Sequence, residues 1–127
     1  MDFKELLKPY KEGGNADNPS ERTIGTIMDY LLNKKMYQMD IVGGAIFLVF
    51  NYLNSGGEFK GDGSYGSKGR ELVTSIRMKC DELQQQRIEG VVYQMFMENY
   101  AEDLRSYILP KQKQKFMSWW RGKDVFT

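Results

Sequence analysis

The longest apolar run of the chain, residues 41–50, constrains the fold more than any other feature. Its ten residues include no charged side chain, so most of its surface has to be shielded from water. The run is well short of the roughly 20 residues that a helix needs to cross a bilayer. We therefore predict a buried helix over about 38–54, in the middle of the fold. A buried strand over 45–53 is the alternative, because β-branched and aromatic residues are frequent there.

Two glycines inside this segment bear on that choice. Gly43 and Gly44 each weaken a helix by about 1 kcal/mol. The segment is nevertheless longer than a typical strand, and no partner strand is evident elsewhere, so a helix is favoured. Close packing against a neighbouring helix would explain both glycines.

Helical spacing of apolar residues predicts another helix upstream, over about 19–35. Asn18 as N-cap and Pro19 at the first helical position give it a start signal. A capping-box pattern at Asp2 indicates a brief first helix, which Pro9 interrupts. The residues that share one face of the 19–35 helix are Ile24, Ile27, Met28, Leu31 and Leu32.

A glycine-rich stretch divides the chain into two halves. Residues 55–69 contain six glycines and few apolar side chains, which predicts a long flexible loop. An unbroken helix over 70–108 would be about 58 Å long, too long for a compact domain of this size. We expect a bend at the polar run 84–87, near Gly90. Pro110 is expected to end that helix or to begin a last one.

These elements predict one mainly α domain over residues 1–127, a bundle of about five helices. Its N-terminal half is 1–54, its loop 55–69 and its C-terminal half 70–127. The chain length suits a single core, and 41% hydrophobic residues can fill it. If 45–53 were a strand, the fold would be α+β instead.

The absence of histidine limits the chemistry that this chain can perform. Histidine is the usual general base near neutral pH and the commonest metal ligand. The one cysteine, Cys80, lies at core spacing between Ile76 and Leu83, which favours a buried and inert thiol. We therefore predict a protein that is not an enzyme, with no catalytic residue, no metal site and no cofactor.

Charge and termini give weaker indications of the cellular setting. The net charge of +1 selects no class of partner. The opening Met-Asp-Phe-Lys-Glu lacks the basic and apolar regions of a secretory signal, and a lone cysteine cannot form an internal disulfide. We expect a cytoplasmic protein with no membrane partner.

The C-terminal segment is the first candidate binding site, because cations alternate there with tryptophans. Cations contact phosphates and indole rings stack on unpaired bases, so the pattern could bind DNA or RNA. The alternative is that the tryptophans pin the tail onto the core while the lysines face water. The residues in question are Lys111, Lys113, Lys115, Trp119, Trp120, Arg121 and Lys123.

A second candidate site lies in the glycine-rich loop. Backbone amides near Ser67, together with Lys60, Lys68 and Arg70, could hold a phosphate group of a ligand or nucleic acid. The loop also matches G-x-G-x-x-G over residues 61–66. That motif needs a preceding strand within a βαβ unit, which the sequence does not offer.

A third candidate is a protein-binding surface. Met95, Phe96, Met97 and Tyr100 offer more apolar surface than one helix face requires, and methionine adapts easily to a partner. The partner would be another protein or a second copy of the chain.

Together these features predict a small non-enzymatic regulator or inhibitor that acts by binding another protein, of the kind that phage and other mobile-element genes often encode. A nucleic-acid-binding protein that uses the C-terminal segment is the alternative. A structural subunit of a larger assembly is a second alternative.

Overall fold

The computed structural model of the protein describes residues 21–33, 38–59, 67–100 and 102–126, and within them the mainly α prediction is confirmed. Those ranges contain no strand, so the alternative of a strand over 45–53 is wrong. The predicted first helix from Asp2, which Pro9 interrupts, and the start signal at Asn18 and Pro19 lie outside the described residues. The helices are α1 (Glu21–Asn33), α2 (Met39–Asn54), α3 (Ser67–Lys79), α4 (Glu82–Asn99) and α5 (Glu102–Trp120).

Helix α2 is the centre of the bundle. Every residue from 41 to 50 is buried, as the apolar run predicts. α2 packs along α4 over most of its length and also contacts α1 and α3. α5 closes the remaining side through contacts with α3 and α4.

Glycine lets α2 and α4 approach closely. A Cβ atom built at Gly43 would lie 2.7 Å from Cβ of Val91 and 3.2 Å from the carbonyl oxygen of Ile88. Both distances are shorter than a van der Waals contact, and neither the added Cβ atom nor its neighbours on α4 can move aside unless the helices shift. Close helix packing is therefore the reason for glycine at this position, as the sequence predicts.

The loop after α2 is shorter than predicted at its far end. Ser67 and Lys68 already belong to α3, and so does Gly69, which is buried. A Cβ atom at Gly69 would lie 2.6 Å from Cδ1 of Leu53, so this glycine serves helix packing rather than loop flexibility. Residues 60–66 lie outside the described part of the chain.

The predicted bend at 84–87 is wrong, because the helix breaks earlier, at Cys80 and Asp81. Asp81 is the N-cap of α4: its Oδ1 accepts from the Gln84 N–H at 2.8 Å, and Gln84 Oε1 accepts from the Asp81 N–H at 2.9 Å. Nε2 of Gln85 donates to the carbonyl oxygens of Arg77 and Cys80, at the end of α3. The polar glutamines therefore hold the ends of two helices together.

Pro110 lies inside α5, so the prediction that it ends or begins a helix is also wrong. A proline in this position removes the hydrogen bond to the carbonyl of Ser106. Both residues are exposed, so water can reach that carbonyl. No side chain of 102–115 is buried, and α5 is anchored by its second half.

Aromatic rings make up the part of the core that receives α5. Phe50 of α2 lies with ring centroids 5.7 Å from Phe96 and 5.6 Å from Phe116, both edge-on. Trp119 and Phe126 also contact Phe50, at 5.7 and 5.6 Å. The segment after α5 therefore folds back, and Phe126 completes the core.

We predict opposite effects for two helical Gly→Ala substitutions. Gly43→Ala should lower the free energy of unfolding by about 1–3 kcal/mol, because the new methyl group overlaps Val91. Gly25→Ala on α1 is the matched control: within the described part of the chain nothing lies within 4 Å of the new Cβ, so alanine should stabilise by about 0.5–1 kcal/mol. Denaturant unfolding measures both. Equal effects of the two changes would contradict the close packing at Gly43.

We also predict that the Asp81 cap stabilises the break between α3 and α4. Asp81→Ala removes the acceptor for the Gln84 N–H and should cost about 1 kcal/mol of unfolding free energy. Asp81→Asn keeps an acceptor oxygen and should lose much less. The comparison uses denaturant unfolding, and an unchanged stability of the alanine variant would contradict the capping role.

Candidate interaction surface

The tryptophans of the C-terminal segment are core residues. Trp119 is 0% exposed and Trp120 is 1% exposed. Together with Phe116 they occupy one face of α5, because residues three and four positions apart lie on the same side of a helix. Nε1 of Trp120 donates to Oε1 of Glu89 at 3.1 Å. The expectation that these rings present stacking surfaces is wrong, and the alternative that they pin the tail is confirmed.

Two of the lysines in this segment interact with the bundle itself. Nζ of Lys113 lies 4.8 Å from the centroid of the Tyr93 ring. Nζ of Lys115 donates to Oδ1 of Asn54 and lies 5.2 Å from the centroid of the Phe126 ring. The exposed cations of the segment are Lys111, Arg121 and Lys123.

The predicted anion site in the glycine-rich loop is only partly described. Lys60 lies outside the described residues, and Lys68 lies in the first turn of α3. Arg70 forms an ion pair with Asp124 at 3.4 Å, which ties the C-terminal segment to α3. The structure thus gives Arg70 an internal partner.

The predicted apolar interface divides between core and surface. Met95 and Phe96 are buried, so their assignment to an interface is wrong: they lie on the side of α4 that faces α2, and Phe96 contacts Phe47 at 5.1 Å. Tyr100 is half-buried and its ring is parallel to that of Phe96 at 6.0 Å. Met97 is exposed.

Cys80 is buried next to the helix break. Burial raises the pKa of its thiol, the Asp81 carboxylate raises the pKa further, and Lys79 opposes the shift. A nucleophilic cysteine needs the opposite shift. Among the described residues, no group of three or more Cys, Asp or Glu side chains is placed to hold a metal ion.

The most distinctive exposed apolar feature is the side of α4 that points away from α2. Leu83 is 76% exposed and Met97 is 45% exposed. Gly90 lies midway between them, seven residues from each, and a Cβ atom added there would meet no atom of the described residues within 4 Å. Residues seven apart lie on the same side of a helix. We call this surface the α4 outer face; it consists of Leu83, Arg87, Gly90, Gln94 and Met97.

A groove runs along one edge of the α4 outer face, towards the start of α2. Nε and Nη2 of Arg87 both donate to Oδ1 of Asp40, at 2.9 and 2.7 Å, and this ion pair lies at the surface. Further along, Nε2 of Gln94 donates to Oε1 of Glu98 at 3.1 Å. The groove has a volume of about 150 Å³ and is lined by Asp40, Arg87, Val91, Gln94, Met95 and Glu98.

A larger cleft of about 300 Å³ lies where α3, α4 and α5 meet. Its lining mixes cations, Arg77 and Arg121, with carboxylates, Glu82 and Glu89, so it has no excess of either charge. Glu89 already accepts a hydrogen bond from the buried Trp120. We therefore interpret the cleft as a solvent-filled space between the ends of three helices.

The α4 outer face is not evident from the apolar spacing, which predicts Leu83 as a core residue. A helix continuing from α3 would bury Leu83, seven residues after Ile76. The Asp81 cap starts a new helix, and Leu83 then points to solvent. Two sequence features together indicate this surface. They are the Asp81 cap and the seven-residue spacing of Leu83, Gly90 and Met97.

Other exposed apolar side chains lie on different helices. Met78, 84% exposed, is at the end of α3, Leu32 is on α1, and Leu104 and Tyr107 are on the first half of α5. None of these three groups has an exposed glycine midway between two exposed apolar residues of the described chain.

No helix within the described ranges is both long and apolar enough to cross a membrane. No known protein family, curated protein or solved structure matches the chain. The residues of this chain and their arrangement are therefore the basis for its proposed function.

We predict that Cys80 reacts slowly with thiol reagents. Because its pKa is above the ordinary value, less thiolate is present at pH 8 than in free cysteine, and burial blocks access. Alkylation should be at least about tenfold slower than for free cysteine and should accelerate as pH rises. Denaturant should restore the ordinary rate. Fast alkylation of the folded protein at neutral pH would indicate an activated nucleophile instead.

Proposed function

We propose that this protein is a protein-binding regulator or inhibitor that is not an enzyme and that acts through the α4 outer face. The observation that carries the proposal is the alignment of Leu83, Gly90 and Met97 along the exposed side of one helix. Exposed apolar side chains that lie in one stripe are typical of surfaces that bind another protein.

The energetics of Gly90 support this reading. A glycine inside a helix costs about 0.5–1 kcal/mol relative to alanine. At Gly43 and Gly69 internal packing compensates for that cost, because a Cβ atom would overlap a neighbour. At Gly90 no described atom lies close enough to do so. A partner whose backbone packs against α4 at Gly90 would make the contacts that offset the free-energy cost of this glycine.

The exposed leucine supports the same reading. Burying apolar surface contributes about 25 cal/mol per Å², so a side chain of the size of Leu83 gains about 1.5–3 kcal/mol when a partner covers it. Polar groups border the stripe, among them the Arg87–Asp40 ion pair. Protein interfaces combine apolar contacts with hydrogen-bonding groups, and here Arg87 and Gln94 lie between the two apolar side chains.

The nucleic-acid alternative has less support. It depends on the exposed cations Lys111, Arg121 and Lys123, because the indole rings that would stack on bases are buried. Cations without aromatic partners give weak, salt-dependent binding with little selectivity.

Site-specific photo-crosslinking in the cells that naturally make the protein tests the proposal. A photoreactive phenylalanine replaces Leu83 or Met97 in the full chain, and Met78 is the control because its side chain is more exposed than either. Protein adducts are expected from positions 83 and 97, and not from 78. Mass spectrometry of the adducts identifies the partner.

Two outcomes would contradict the proposal. The first is the absence of protein adducts at both stripe positions. The second is retention of DNA or RNA by the purified protein at about 50 mM salt, with loss of retention in Lys111→Glu and Lys123→Glu variants. That second result would favour the nucleic-acid alternative.

A further inference from the structure

We propose that the α4 outer face binds the same face of a second copy of this chain, with the two α4 helices antiparallel and Gly90 at the two-fold axis. This inference rests on the proposed function, since it names the partner of the same surface. The two α4 helices then have a defined alignment, a defined pairing of residues and a predicted dissociation constant.

The stripe is self-complementary in the way that a two-fold interface requires. In such an interface residue i contacts residue j of the other copy, and j contacts i. Leu83 and Met97 lie equally far from Gly90, about 10 Å along the helix on either side. Antiparallel pairing about Gly90 therefore places Leu83 against Met97 of the second copy, twice.

Glycine at the centre suits this arrangement. Glycine on one helix already allows close approach at Gly43, which packs against Val91 of α4, and in the proposed pair glycine stands on both helices at the crossing point. Gly25 of α1 is also open to solvent, but only one of its two neighbours seven residues away, Leu32, is an exposed apolar residue of the described chain. Gly90 has one on each side.

Charges along α4 are compatible with the same register. Arg87 and Glu98 lie about 20° apart around the helix, so they share one edge of the face, whereas Glu82 lies about 160° from Glu98. In an antiparallel pair each edge meets the same edge of the other copy. Arg87 then lies about 7.5 Å along the axis from Glu98 of the second copy, a distance that two long side chains can span. Glu82 and Glu98 do not meet across the interface, because they lie on different edges of the helix.

The size of the surface predicts a weak dimer. α4 has 18 residues and is about 27 Å long, and a single pair of helices of this length buries less than the roughly 1,200 Å² of a stable interface. The surface ion pair between Arg87 and Asp40 offers little resistance to rearrangement. We expect a dissociation constant between about 10 µM and about 1 mM.

Sedimentation equilibrium of the full chain, from about 10 µM to about 1 mM, tests the dimer. The wild-type chain should change from monomer to dimer across this range. Leu83→Glu and Met97→Glu should each raise the dissociation constant at least about tenfold. Met78→Glu, which adds the same charge at a more exposed position off the face, should leave it unchanged.

Gly90→Ala separates association from folding. The added methyl group should raise the unfolding free energy of the monomer, because space around it is open, yet weaken the dimer by keeping the helices apart. Gly25→Ala should raise stability in the same way without changing association. A loss of dimer in the Gly90 variant then cannot come from misfolding.

The register is tested by a disulfide across the two-fold axis. In a Cys80→Ser background, a mixture of Leu83→Cys and Met97→Cys chains should give the mixed covalent dimer under mild oxidation, because these two positions face each other across the axis, and a mixture of Leu83→Cys and Met78→Cys chains should not. A chain that stays monomeric at about 1 mM, or a dimer insensitive to Leu83→Glu and Met97→Glu, would overturn the inference. In the first case, photo-crosslinks from position 83 to a different protein would leave the proposed function standing.

Discussion

The contact between Gly43 of α2 and Val91 of α4 is the constraint on which the rest of the structure depends. Because a Cβ atom at Gly43 would overlap Val91, the two helices can pack at this distance only with glycine there. This contact fixes which side of α4 faces the core, and therefore which side faces out. The exposure of Leu83, Gly90 and Met97 follows from it.

The aromatic cluster around Phe50 fixes the other side of the bundle. Its ring contacts reach from α2 through Phe96 to Phe116 and Phe126, so the segment after α5 belongs to the core. The Arg70–Asp124 ion pair adds a polar tie at the surface. The tryptophans that resemble part of a nucleic-acid-binding tail in the sequence therefore have a structural role in the core.

Periodicity predicted the fold well where a helix has one continuous apolar face. The helices predicted over 19–35 and 38–54 correspond to α1 and α2, and the tight packing at Gly43 was expected. Hydrophobic spacing could not locate the break before α4, because a capped helix start depends on two hydrogen bonds between Asp81 and Gln84. The error moved Leu83 into the predicted core. Burial of Met95 and Phe96 was missed because periodicity shows that residues share a face, not which face a neighbouring helix covers.

The open space around Gly90 has a consequence for how this chain can change over time. Folding places no demand on that position, since the monomer would accept a larger residue and become more stable. Val91, its immediate neighbour, has no such freedom. An unconstrained position and a tightly packed one are therefore adjacent on one helix, and the exposed side of α4 can change in sequence without disturbing the core.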